Sequence, residues 1–326
     1  MSLKPLRRLG LALLASALLP SLASAEQTLR IGYQKSSTLL ILLKARGSLE
    51  HRLQAQDVRV TWHEFPSGLP LLEALNLGNV DLSADVADTV PVFTQAAGAK
   101  LTYFARETPS PTAQAILVPA DSPLRTLADL KCKRVAVTKA AGSHYLLIQA
   151  LAKAGLTFQD ITPAYLIPAD GRAAFENHKV DAWVTWDPFV ASAQNQQNAR
   201  ILVDGSGLAS YQRYYLAGSD YAKAHPAVLQ QVYLALREAG AWTKANPAAA
   251  ARILGPLWGN LDSATVQQAN ARRSYDVQPV RLENLAEQQR IADAFYQAGL
   301  LPKAVDAQAV SLFEPLDAQS EARLSK

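Results

Sequence analysis

The chain has 326 residues, 49% hydrophobic and 18% charged, which fits a folded protein of one or two domains and excludes a disordered tail. Its 32 basic and 28 acidic residues nearly balance, and no basic run lies beyond the first few residues, so nucleic acid is not an expected partner. A single cysteine, Cys132, excludes an intramolecular disulfide framework and any multi-cysteine zinc or iron–sulfur site.

At the start of the chain, Lys4, Arg7 and Arg8 precede an apolar run from Leu9 to Leu19, then Pro20 and Ala23-Ser24-Ala25 before Glu26. A basic start, a short apolar core and small residues at the end predict a cleavable secretory signal over residues 1–25. The other reading is a buried N-terminal helix; the core is too short for a permanent membrane span. Removing the segment takes away three positive charges and leaves a formal +1. Glu26, not a lipid-bearing cysteine, stands at the cleavage point, so the expected product diffuses freely in the periplasm.

Short apolar strands then alternate with helical patterns. Strands are expected at Leu29–Tyr33, Val58–Phe65, Val80–Ser83, Leu101–Phe104, Ala115–Val118, Arg134–Val137, Ala164–Ile167, Ala182–Thr185, Ile201–Val203 and Tyr214–Ala217. Leu71–Leu77 reads as a helix closed by Gly78, and Ser143–Ala154 as one closed by Gly155. A further helix is expected from Ala84–Thr89 to Ala97. Beyond about residue 220 the strands are expected to stop; Ala227–Lys244, Ala248–Leu254 and Glu283–Ala298 carry helical stripes that must pack on the sheets. The alternation predicts an α/β fold with largely parallel sheets. An internal echo, Gly78-Asn79-Val80-Asp81 against Asn177-His178-Lys179-Val180-Asp181, suggests two α/β lobes. Such lobes bind ligands beyond the carboxyl ends of their strands and in the cleft between domains.

Two turns that feed helices could hold an anion on unpaired backbone N–H groups. Gln34, Ser36 and Ser37 add side-chain hydrogen bonds at the first, Ser143 and His144 at the second, and Lys35 and Lys139 could add charge. Either turn could equally be an ordinary helix cap. Trp183 reads as core; Trp186, beside Asp187-Pro188, reads as core or as a cleft wall. Asp88 reads as an N-cap or as a partner for a cationic group, Asp85 as solvated or the same, and Arg172 as a surface ion pair. No metalloprotease, phosphate-loop or serine-hydrolase motif occurs, and His51, His63, His144, His178 and His225 lack ligand-like spacing. Cys132 between Lys131 and Lys133 reads as incidental, and no cofactor is expected.

Taken together, Leu29–Lys35, Glu64–Gly68 with Leu72–Gly78, Pro91–Ala99, Gly142-Ser143-His144, Pro168–Phe175 and Val180–Pro188 resemble the aliphatic sulfonate-binding proteins over about residues 28–316. The resemblance implies a two-lobe, type II periplasmic-binding-protein fold with two hinge strands and a helical C-terminal region, serving an ATP-driven importer. It places lobe one at residues 26–115 plus 217–326, lobe two at 116–216, and the crossings near Ala115–Val118 and Arg213–Ala217. It sets the sulfonate head between helix N-termini at Gln34 and at Ser143-His144, with Trp186 near the organic tail. The candidate ligand-binding residues are thus Gln34, Ser36, Asp88, Gly142, Ser143, His144, Trp186 and Asp187. The expected partners are a small organosulfonate and an inner-membrane permease, with the protein a monomer and no enzyme. The stretch Ser83–Asp88 departs from the family's Gly-rich pattern by one residue and an extra acid, Asp85, which leaves taurine, a sulfate ester or another small anion or zwitterion as alternatives. A sensor role, and an enzyme resembling thiamine-pyrimidine synthases, are the other readings; the latter uses a cysteine-rich metal segment that Cys132 alone cannot supply.

Overall fold

Parallel strands and helices alternate through residues 27–316, the part of the chain that the computed structural model describes; the expected export signal lies outside these residues. From the amino end, β1 (Gln27–Tyr33), α1 (Thr38–Arg46), α2 (Ser48–Gln54), β2 (Val58–Glu64), α3 (Gly68–Asn76), β3 (Leu82–Ala87), α4 (Thr89–Ala96) and β4 (Leu101–Glu107) build most of a first sheet. The chain then passes to a second sheet made of β5 (Gln114–Val118), β6 (Arg134–Val137), β7 (Thr162–Tyr165), β8 (Ala182–Trp186) and β9 (Arg200–Asp204). Its helices are α5 (Gly142–Lys153), α6 (Pro168–Glu176) and α7 (Phe189–Gln197). The chain returns to the first sheet with β10 (Arg213–Gly218) and continues through α8 (Ser219–Ala224), α9 (Pro226–Ala245), α10 (Pro247–Leu257), α11 (Ser263–Ala271) and α12 (Ala286–Gln297).

The two sheets share one construction rule. With β11 (Val277–Gln278) at its edge, the first runs β11-β4-β10-β3-β1-β2, and the second β7-β6-β8-β5-β9. In each, the first strand after a crossing, β10 or β5, enters the interior antiparallel to both neighbours. The remaining long strands run parallel, and β3, β5 and β8 are buried along their whole length, as expected for sheets covered on both faces. The internal echo has a structural cause. Asp81 takes the Arg30 N–H at 2.8 Å and returns its own N–H to the Arg30 carbonyl, which ties the entry to β3 against β1. Asp181 does the same with Arg134 on β6. Gly78 and Gly155 adopt φ of 72° and 69°, the left-handed caps that their positions required.

Several boundaries differ from expectation. The third strand does not stop at Ser83 but runs to Ala87, so the expected helix from Ala84 begins at Thr89. Two short strands, β11 (Val277–Gln278) and β12 (Ser311–Leu312), pair with β4 beyond the point where strands were expected to end. Helix α11 also went unread. The crossings are displaced as well: β5 lies wholly in the second sheet and β10 wholly in the first, so the chain passes between them at residues 108–113 and 205–212. These two segments run side by side. Ser110 donates its N–H to the Ser210 carbonyl at 3.1 Å, and Gly205 donates to the Pro111 carbonyl at 3.1 Å. Position 205 requires glycine, because a Cβ there would stand 2.5 Å from the Pro111 oxygen.

Apolar burial holds the helical tail in place. Helix α1 is buried along Leu39–Leu43, with no polar stripe, between the first sheet and helices α9 and α10. Helix α12 spans the two sheets' helical layers: Phe295 meets Phe93 of α4 at 4.8 Å and His144 of α5 at 5.1 Å between ring centroids.

Candidate functional site

Where a parallel strand ends and a helix begins, the first helical N–H groups have no backbone partner. Several such handovers meet at one place. Gln34 follows β1, Gly68 opens α3, Ala87 and Val90 flank the start of α4, and Gly142 opens α5 from the second sheet. Trp186 at the end of β8, with Tyr211 and Arg213 at the return crossing, completes the wall. The void between them is about 10 Å³, room for about one water. The two sides are in contact: the Thr89 hydroxyl donates to the Ala140 carbonyl at 2.5 Å. A Cβ at residue 142 would stand 2.6 Å from the Tyr211 ring, and one at residue 68 would stand 2.9 Å from Val90. Glycine at residue 142 thus lets α5 come up against Tyr211, and glycine at residue 68 lets α3 start tight against Val90 of α4.

The expected site residues divide into those at this void and those engaged elsewhere. Gln34 lines it and donates its side-chain amide to the Asp85 carbonyl at 3.3 Å. Ser36 is buried in the same turn, where its carbonyl accepts the Thr38 N–H, while the Ser37 hydroxyl accepts the Gln34 N–H. Gly142 and Trp186 line the void. The Trp186 indole N–H and the fully buried Ser143 hydroxyl have no hydrogen-bond partner.

His144 is buried behind the second turn, its Nε2 without a hydrogen-bond partner. Its Nδ1 accepts the Ala140 N–H at 3.3 Å, and its ring is boxed by Phe158, Tyr165 and Phe295 at 5.1 to 5.5 Å. Burial, with a smaller push from Lys139, lowers the imidazole to about 3, so it is neutral at physiological pH and braces the turn from behind. Asp88 is also internally engaged: its carboxylate takes the Gln212 N–H at 2.9 Å, and burial pushes it up to about 7 against that hydrogen bond. Asp187 takes the Ala191 N–H at 3.0 Å and pairs with Arg272 at 3.2 Å; burial pushes it up to about 6 against the Arg272 charge. Arg172 forms the expected surface pair, with Glu176, and Trp183 is core.

Asp85 is neither solvated nor free. It is fully buried on β3, 2.5 Å from Arg213 and 3.1 Å from Arg273. Arg273 also reaches Glu107 at 2.6 Å, and the Tyr215 hydroxyl donates to Glu107 at 2.7 Å. Arg213 further donates to the Tyr211 hydroxyl at 2.6 Å and to the Asp85 carbonyl at 3.0 Å. Burial works against charge on both arginines, but the carboxylates beside them outweigh it and raise both above the ordinary value. Two acids and two bases thus form one neutral buried network, and one member, Arg213, faces the void. Gly68, Tyr211 and Arg213 escaped the sequence reading. A charged residue at the mouth of the apolar strand Tyr214–Ala217 was the available signal for Arg213.

Comparison with known proteins now bears on this geometry. A family model described as NMT1/THI5 like matches residues 54–250. An aliphatic sulfonates-binding protein of Escherichia coli (strain K12) is 42% identical over 283 residues, 87% of this chain and 88% of the relative. The chain belongs to the aliphatic sulfonate-binding protein family. The solved periplasmic aliphatic sulphonate binding protein SsuA from Escherichia coli superimposes with a TM-score of 0.80 at 41% identity, covering 90% of this chain and 94% of that one. The alkanesulfonate-binding protein SsuA from Xanthomonas axonopodis pv. citri, solved bound to MOPS, gives a TM-score of 0.82 at 43% identity, covering 87% and 98%. The fold is thus the two-lobe α/β fold of periplasmic binding proteins, and these close members of the family are binding proteins, not enzymes.

Two predictions follow for this family member. Asp85→Asn leaves Arg213 and Arg273 under-compensated in the interior and should cost about 3–5 kcal/mol, read as a fall in melting temperature; an unchanged melting temperature would contradict the network. His144→Phe tests the neutral imidazole. The unfolded chain takes up a proton near 6.5 and the folded one only near 3, so this residue's contribution to stability is lost as pH falls through that window. Asp88 acts with the opposite sign, favouring the folded state at low pH and losing that contribution as pH rises towards 7. The melting-temperature gap between the unsubstituted protein and His144→Phe should therefore shrink from pH 6.5 to pH 4; a constant gap would mean that the buried ring accepts the proton.

Proposed function

We propose that this protein captures aliphatic sulfonates in the periplasm by closing two lobes around the ligand, and presents the closed complex to an inner-membrane, ATP-driven permease. The observation that carries the reading is the convergence of helix starts at Gly68 and Gly142 on one void with Arg213 and Gln34. Helix N-termini favour an anion, and a guanidinium adds charge-assisted hydrogen bonds. Trp186, Tyr211 and Val90 supply an apolar wall for an alkyl chain. Ser143, a buried hydroxyl without a partner in the first turn of α5, is the natural donor to a sulfonate oxygen.

A sulfonate head is larger than one water, so entry requires the walls to part. Residues 27–107 with 213–316 form one lobe and 114–204 the other, turning about the paired segments 108–113 and 205–212. Affinity then depends on how much better the closed form holds the ligand than the open form does. The protein acts as a monomer, exported by a cleavable segment over residues 1–25. Asp85 no longer argues for a zwitterion, because Arg213 and Arg273 already neutralise it.

The test is thermal denaturation with MOPS, shorter alkanesulfonates and matched carboxylates. A sulfonate at a hundredfold excess over its Kd stabilises by about 2.7 kcal/mol, a rise of several degrees; no shift with any sulfonate would remove the reading. Ser143→Ala should weaken sulfonate binding about tenfold, the worth of a charge-assisted hydrogen bond, while leaving the unliganded protein as stable or more so; unchanged affinity would remove Ser143 from the site. Gly142→Ala should abolish tight binding by holding the wall off Tyr211, and full affinity in that variant would show that the closed geometry is not the binding form.

A further inference from the structure

We propose that Arg272 is a closure latch: a positioning residue that sets affinity by holding the two lobes together and makes no contact with the ligand. The inference rests on the clamp reading above and adds a determinant to it. Arg272 follows α11, which packs on α10 in the helical layer behind the first sheet. Its guanidinium reaches Asp187, at the end of β8 in the second sheet, with Nη1 3.2 Å from both carboxylate oxygens, and it donates through Nη2 to the Gln194 side chain on α7. The Asp187 carboxylate is in turn fixed by the Ala191 N–H. Both side chains are largely buried, at 17% and 3% exposure, so the pair is screened less than a surface bridge.

Arg272 is held firmly on its own side. The next residue, Arg273, is anchored to Asp85 and Glu107 of the first sheet, and Ser274 bonds Ser110 and Thr108 in the crossing segment. The three-residue strap Arg272-Arg273-Ser274 thus ties the cleft network, the crossing and the opposite lobe together. The rest of the contact between α7 and α11 includes polar bonds: Asn195 donates to Thr265 and Gln268 at 2.9 Å, and Gln268 donates to Gln194 at 3.0 Å. Such groups can exchange their partners for water when the lobes part. The seam is thus partly polar, with Ala191 packed against Val266 and Ala269 beside these bonds, so part of it can rehydrate when the lobes part.

A latch contributes equally to every closed complex, whatever the ligand. Arg272→Gln and Asp187→Asn, which keep hydrogen-bonding capacity and shape, should each speed sulfonate dissociation about tenfold with association little changed. The factor should be the same for MOPS, ethanesulfonate and butanesulfonate, and the double variant should lose no more than either single one. Stopped-flow fluorescence reads these rates. A dissociation rate within twofold of the unsubstituted protein's, or a loss confined to one sulfonate, would overturn the latch. Should the unsubstituted protein bind no sulfonate, the functional reading fails separately. The latch is then decided without ligand, by pulsed-resonance distances between spin labels on α6 and α8 in a Cys132→Ser background. Longer distances in Arg272→Gln support it, and identical distributions overturn it.

Discussion

Unpaired N–H groups at the starts of helices are the constraint around which this protein is arranged. Each strand-to-helix handover in a parallel α/β layer leaves such groups at the carboxyl edge of the sheet. Here two sheets turn those edges toward each other, so that α3 and α4 from one and α5 from the other begin on opposite walls of one narrow void. The arrangement requires close approach, which glycine permits where α5 meets Tyr211 at residue 142, and it gives a pocket polarised for negative charge. The crossing segments run hydrogen-bonded side by side, and in the proposed clamp they are where the two edges turn apart.

The buried charges serve that geometry. A lone Asp85 beneath the pocket would repel an anion; paired with Arg213 and Arg273, it fixes the guanidinium that faces the void. Glu107 balances the second arginine, so the network is neutral while one of its donors points where a ligand head would lie. The same chain segment that supplies Arg273 supplies Arg272 to the far lobe, which places cleft chemistry and lobe contact on one strap.

Much of the fold was legible because burial leaves a local record. Ten strands announced themselves as short apolar runs between turn residues, and Gly78 and Gly155 marked helix ends by the one conformation that they tolerate. What could not be read came from partners distant in sequence. Asp85 made the end of β3 look like a solvated helix start, because the arginines that neutralise it lie 128 and 188 positions away. The rings that enclose His144 come from Phe158, Tyr165 and Phe295, none of them in its own turn. Arg272, which holds Asp187, is likewise 85 residues further on. Gly142 and Trp186, which line the void, stand where a helix begins and where a strand ends, and such places can be read locally.

The most direct test of the central claim is the position of the sulfur in a sulfonate complex, located by its anomalous scattering in a crystal. The account predicts one sulfur enclosed between the first turns of α3 and α5, its oxygens within hydrogen-bonding distance of backbone N–H groups from both lobes. A sulfur bound on one lobe alone, or away from these helix starts, would contradict it.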